Sequence, residues 1–182
     1  MDNIIERIMN SDNWPNLEMP ENLEILNDFA DELYSKKNFS GQLSAILMYH
    51  QIIEAMCIHL LEDCHFQIQL SLYPTTIQFS IPQNKMLGNV LTELKNSIDF
   101  HKKEEFLDKV KEFNIIRNET IHKMRKNNLL IISNDLKKSK NIFDEIYELY
   151  DEIQDNFRVI FHDFKKDVFI DYVINEEFDE YS

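Results

Sequence analysis

Glycine and proline are almost missing from this chain, at two and four residues among 182. Both punctuate turns and loops, so their scarcity excludes a many-stranded or loop-rich fold and predicts long helices joined by few connections. Cysteine is nearly absent too. Cys57 and Cys64 lie two helical turns apart in an apolar segment, which excludes a disulfide framework and reads as two small buried hydrophobes in a reducing compartment. There is no internal repeat, no glycine-rich phosphate loop and no zinc-type Cys/His spacing. The six histidines, at 50, 59, 65, 101, 122 and 162, form no metal-ligand pair of recognised spacing, so neither a metal nor another cofactor is expected. No uncharged run of about 18 residues is available to span a bilayer. The start, Met1-Asp2-Asn3-Ile4-Ile5-Glu6, lacks a basic region followed by an apolar one. The expectation is a cytoplasmic protein with no membrane partner.

What is present is ordinary globular usage, 43% hydrophobic and 29% charged residues, on a chain long enough for one domain with a real core. The net charge of -14 argues at first against a nucleic-acid partner, because phosphate binding needs Lys and Arg. Its distribution changes the argument. Residues 101–140 hold 11 Lys and Arg against 6 Asp and Glu, while the segments on both sides are strongly acidic. Lys102, Lys103, Lys109, Lys111, Lys123, Arg125, Lys126, Lys137, Lys138 and Lys140 therefore make a candidate anion-attracting patch on a repelling surface. The plainer meaning of such a run is a solvated helix face.

The periodicity predicts an all-α domain of about five helices with one inserted hairpin. Residues 1–20 read as an N-terminal arm that packs through Trp14, residues 21–166 as a single helical domain, and residues 167–182 as a loose acidic tail. A helix is expected from Pro20 to about Lys36, a connection from Asn38 to Gly41, and a central, nearly all-apolar helix from Gln42 to about Cys64. Between 66 and 81 the pattern alternates on both sides of Tyr73-Pro74-Thr75-Thr76, which predicts a β-hairpin. Helices are then expected from Met86 to Phe100, from about Glu104 to Lys126, and from about Asp135 to Phe164.

Two polar residues, His50 and Glu54, interrupt the apolar row of the central helix one turn apart. A buried carboxylate needs a partner, and His50 or Arg117 across the core are the candidates. Arg117 itself shares a direction, within about 40° on an ideal helix, with Phe106, Val110, Phe113 and Met124. A guanidinium in an apolar stripe must meet a carboxylate, a cavity or a subunit boundary. His122 lies about 140° round from Arg117. One straight helix does not aim both at one atom, so either the helix is distorted near Asn118 or a second chain supplies one group. An internal ion pair and a surface histidine are the alternative.

Arg117-Asn118-x-x-x-His122 resembles the R-x4-6-H motif of the HEPN superfamily of helical ribonucleases and nucleotide-binding modules. The resemblance implies a helical bundle, a homodimer with two motifs facing each other, and metal-independent RNA cleavage by the 2′-hydroxyl. It implies Arg117 and His122 as catalytic residues, with Asn118, Glu54 and His50 supporting them and Lys123, Arg125 and Lys126 holding RNA. A toxin or anti-phage role follows, with a protein partner from the same operon. HEPN toxins paired with a small nucleotidyltransferase carry a Tyr two residues after the His, where this chain has Met124, so that toxin type is not implied. The competing class is a non-catalytic module that holds a nucleotide or an acidic protein partner, of the immunity or antitoxin kind, at the same site.

Overall fold

The computed structural model describes residues 4–79, 86–124 and 129–179, with side chains described over 7–79, 86–122 and 132–164. Among the described residues, six α-helices and one 3-10 turn make up the regular structure: α1 Ile4–Met9, the turn Ser11–Asn13, α2 Glu21–Ser35, α3 Phe39–Leu72, α4 Leu87–Asn96, α5 Lys103–Met124 and α6 Leu129–Asp179. The all-α expectation holds. α3 is the hub, packed against α2, α4 and α6, with a lighter contact to α5; α5 rests mainly on α6.

Its central place follows from its sequence. Ala45, Ile46, Tyr49, Ile52, Ile53, Met56, Cys57, Leu60, Leu61 and Cys64 are all buried, so apolar residues cover more than one side and several neighbours are needed to bury them. α3 is also long and apolar enough by length and composition to cross a membrane, but half of the apolar window is buried inside the bundle.

The loop between α2 and α3 is shorter than the pattern implies, because Asn38 is an N-cap. Its side chain accepts from the Gly41 amide at 2.7 Å, so Phe39 to Gly41 are already helical. Trp14 Nε1 donates to Ile8 O at 3.0 Å, and its ring meets Phe66 and Phe161 edge-on at 5.5 and 6.2 Å.

The expected β-hairpin near 66–81 is corrected. α3 runs on through Leu72, and no strand occurs among the described residues. Phe66, Gln69 and Leu70 are buried, an i, i+3, i+4 pattern that extends the core row of α3 and outweighs the alternation. Beyond the turn at Tyr73-Pro74, the backbone finds its partners on a side chain: Gln69 Nε2 donates to Thr75 O at 2.7 Å, and the Ile77 amide donates to Gln69 Oε1 at 2.8 Å. Ser80 and Ile81, the rest of the second arm, lie outside the described residues. The last helix is longer than expected at both ends, and it continues to Asp179 through residues read from sequence as a loose tail.

Candidate functional site

α5 presents Phe106, Leu107, Val110, Phe113, Ile116 and Thr120 to the core. Arg117 sits at the margin of that stripe, half-buried, where α5 faces α3. Its Nη1 donates to Asn118 Oδ1 at 2.8 Å, and Asn118 Nδ2 reaches Asn114 Oδ1 at 3.5 Å. Asn114 in turn faces the buried ring of His50 on α3 and acts to raise the pKa of that imidazole. A row of polar side chains therefore runs Arg117, Asn118, Asn114 along α5, with its last member facing His50 on α3. Asn114 does not stand out in the sequence; its place one helical turn before Asn118, on the helix facing His50, is the signal that identifies it.

Arg117 shapes the electrostatics of both polar residues on α3. Burial, then the nearby Arg117 charge, holds the His50 imidazole below its usual value, against the opposing influence of Asn114. Burial pushes the half-buried Glu54 carboxyl up, and Arg117 pulls it partly back. The expectation is hydrogen-bonded or water-bridged reach between Arg117 and Glu54 or His50; the Arg117 charge acts on both groups, and among the described residues no direct hydrogen bond or ion pair joins them. Arg117 Nε is buried with no hydrogen-bond partner. An orphaned donor of this kind is uncommon in folded proteins and calls for a group that completes it.

His122 is exposed, on the outward side of α5 with Ile115, so the two motif residues diverge on one chain as the helical wheel requires. The helix is not broken near Asn118; Lys103–Met124 is one continuous α-helix. Arg125 and Lys126 lie outside the described residues, as does the side chain of Lys123.

Among the described residues, most lysines of the patch are paired. Lys102 pairs with Glu152, Lys109 with Glu145, Lys138 with Glu112, and Lys140 with Asp31 and Asp144. Lys111 pairs with Asp108 on its own helix. Lys103 is buried, donating to Ser97 O at 3.0 Å and Ile98 O at 2.9 Å. Sequence reasoning counted these cations but not the carboxylates of α2, α5 and α6 that the packing sets beside them.

Cys57 and Cys64 are free and buried, and burial pushes both thiols up, Cys64 to about 11. Neither is poised as a nucleophile at neutral pH. Comparison with protein-family models, with curated proteins and with solved structures finds no match.

Proposed function

We propose that the chain is a metal-independent endoribonuclease of the HEPN type, acting in the cytoplasm in a toxin or anti-phage role, with a dimeric site where Arg117 of one copy and His122 of another meet at one phosphate. The observation that supports this reading is the Arg117 guanidinium. It is half-buried, held by Asn118, paired with no carboxylate among the described residues, and its Nε donor is orphaned. A phosphate oxygen satisfies such a donor with a charge-assisted hydrogen bond. In the reaction the 2′-oxygen attacks phosphorus and the 5′-oxygen leaves; Arg117 stabilises the charge that builds on the phosphoryl oxygens, and His122 handles the proton of the attacking or leaving oxygen. Products are a 2′,3′-cyclic phosphate and a 5′-hydroxyl, and DNA is inert for lack of the 2′-hydroxyl.

The test is a homogeneous RNA and its DNA counterpart incubated with the purified chain in excess chelator. RNA alone should be cut, and His122→Ala should lower turnover by about 10²–10⁴-fold with RNA binding retained. Cleavage that survives His122→Ala removes this assignment. A second reading is favoured by the engaged lysines: a HEPN-like module that binds a nucleotide or a protein partner without cleaving. It takes over if no RNA is cut while a ligand is held and is lost on Arg117→Ala.

A further inference from the structure

A second polar centre lies on α3, roughly 14 Å further along its axis from Glu54. Here the C-terminal third of α3, the middle of α6, the N-terminal arm and residues 77–79 enclose a cleft of about 580 Å³. That volume is in the range of small-molecule sites. At its base Asp63 is only 5% exposed. One of its oxygens accepts from Gln154 Nε2 at 2.9 Å, and no other hydrogen bond to the carboxyl is formed among the described residues. Gln154 is also buried. Beside them, the Tyr150 hydroxyl lies 3.4 Å from His59 Nδ1.

The walls are aromatic. Phe66 forms one side, and His65 with Phe79, stacked at 4.2 Å, forms another. Gln69 fixes the segment that carries Phe79 through its two backbone contacts. At the rim, Arg7 donates its Nε–H to Asn13 O at 2.9 Å and lies 4.9 Å over the Phe66 ring. Glu62 is a further charged group in the lining.

Phe66 and the His65–Phe79 stack give the cleft an apolar side that a heterocycle can lie beside. A buried carboxyl with one amide neighbour and, among the described residues, no ion pair fits a ligand that brings adjacent N–H donors. The side-chain amide of Gln154, next to it, offers a further acceptor and donor. Among common heterocycles, the edge of guanine carries two such donors, on N1 and on the exocyclic N2, and a carboxylate takes both at once. Adenine offers no adjacent pair of this kind. Arg7 at the rim is the one Lys or Arg in the lining among the described residues, and it suits a phosphate on the far end of the same molecule.

We propose that this cleft binds a guanine nucleotide, with the base edge on Asp63 and Gln154 and the phosphate toward Arg7. The site is separate from Arg117 and His122 and does not depend on what they do.

Calorimetric titration of the full chain with GMP, IMP, AMP and guanosine, at a pH of about 8.5 where the Asp63 carboxyl is ionised, tests it. IMP lacks only the N2 amine, so GMP should bind at least about tenfold more tightly than IMP, the loss expected for one hydrogen bond to a charged acceptor, and more tightly than AMP by a wider margin. Arg7→Ala should weaken GMP and leave guanosine unchanged, and Asp63→Asn should erase the GMP-over-IMP preference. Arg117→Ala should alter none of these affinities. The proposal is overturned if none of the four ligands binds at millimolar concentration, if AMP or IMP binds as well as GMP to the unaltered chain, or if GMP binding is lost with Arg117→Ala but kept with Asp63→Asn. Because the nucleotide series is run on the unaltered chain, it decides between these outcomes even if a variant fails to fold.

Discussion

Arg117 is where the fold and the proposed chemistry make opposite demands. A guanidinium in a true buried ion pair is costly to remove, about 3–5 kcal/mol, because its carboxylate is left behind unpaired. Here no carboxylate is paired to it among the described residues, and one of its own donors is orphaned. Arg117→Met, which keeps most of the side-chain volume, should therefore leave the melting temperature unchanged or raise it, while RNA cleavage disappears. A fall in melting temperature of the size expected for a broken ion pair would make Arg117 a structural residue. The motif itself was legible in the sequence, as was the divergence of Arg117 and His122, because both depend only on residue identity and helical angle. Asn118 was legible as the polar position after the Arg, but Asn114 was not, because an asparagine on a helix carries no charge signature until a facing histidine is placed beside it. Asp63 was passed over for a similar reason. An acidic residue beside Glu62 in an acidic chain reads as surface, and only the packing of α6 onto α3 buries it.

Asp63 also gives the pH dependence a definite sign. Burial, countered in part by the Gln154 hydrogen bond, pushes its carboxyl up from the usual 3.8 to about 7. The native state therefore keeps a proton that the unfolded chain has already lost between those values, so stability falls as pH rises from about 4 to about 7 and the penalty is complete above that. The linkage is at most about 4 kcal/mol. Asp63→Asn should be more stable than the unaltered chain at pH 8 and similar to it at pH 4, measured by urea unfolding at both. His50, His59 and His65, all held below the usual 6.5 mainly by burial, act in the opposite direction, losing stability as pH falls below that value. A uniform gain for Asp63→Asn at both pH values would mean that the carboxyl is not the cause.

At the scale of elements, the two glycines separate packing from propensity. A Cβ on Gly41, in the first turn of α3, would stand 2.5 Å from the backbone oxygen of Leu33 on α2, whereas one on Gly88 in α4 meets nothing within 4 Å. Alanine in a helix interior is favoured over glycine by about 1 kcal/mol. Gly88 is the second residue of α4, so Gly88→Ala should stabilise by up to about 1 kcal/mol. Gly41→Ala should destabilise by about 1–3 kcal/mol, the overpacking cost, because relief requires α2 to move as a body. Thermal unfolding of the two variants side by side checks both signs. Helix positions were mostly legible because the 3.6 period is written into apolar residues such as Val90, Leu91 and Leu94 or Ile142, Ile146, Leu149 and Ile153. The failure at 66–72 has a physical cause. Phe66 and Leu70 satisfy both a period of two and a spacing of four, and the choice between them was made by burial of Gln69, a polar residue that pattern reasoning assigns to solvent.

For the molecule as a whole, the seam between α3 and α5 decides whether one chain is enough. Leu47 continues the row of His50 and Glu54 one turn earlier on α3, yet it is 42% exposed, and Arg117 opens onto the same seam with its Nε unsatisfied. On α5, Ile115 is 57% exposed on the side that carries His122. A second copy docked along α5 would cover Leu47 and Ile115 and bring its own His122 toward Arg117, which a single straight helix cannot do. A specific interface of this kind buries roughly 1,200–2,000 Å² in total, and a carboxylate placed within it without a partner is strongly unfavourable. Light scattering at micromolar concentration should therefore find a dimer. Leu47→Glu should shift it to monomer without lowering the monomer's own helicity, and RNA cleavage should fall with the dimer fraction. Mixing two inactive variants gives the sharper outcome. Arg117→Ala and His122→Ala chains combined should recover part of the activity, because one of the two sites in a mixed dimer then holds an intact Arg117 and an intact His122. If the mixture stays inactive while mixed dimers form, each site draws both groups from one chain and the two-chain arrangement is wrong.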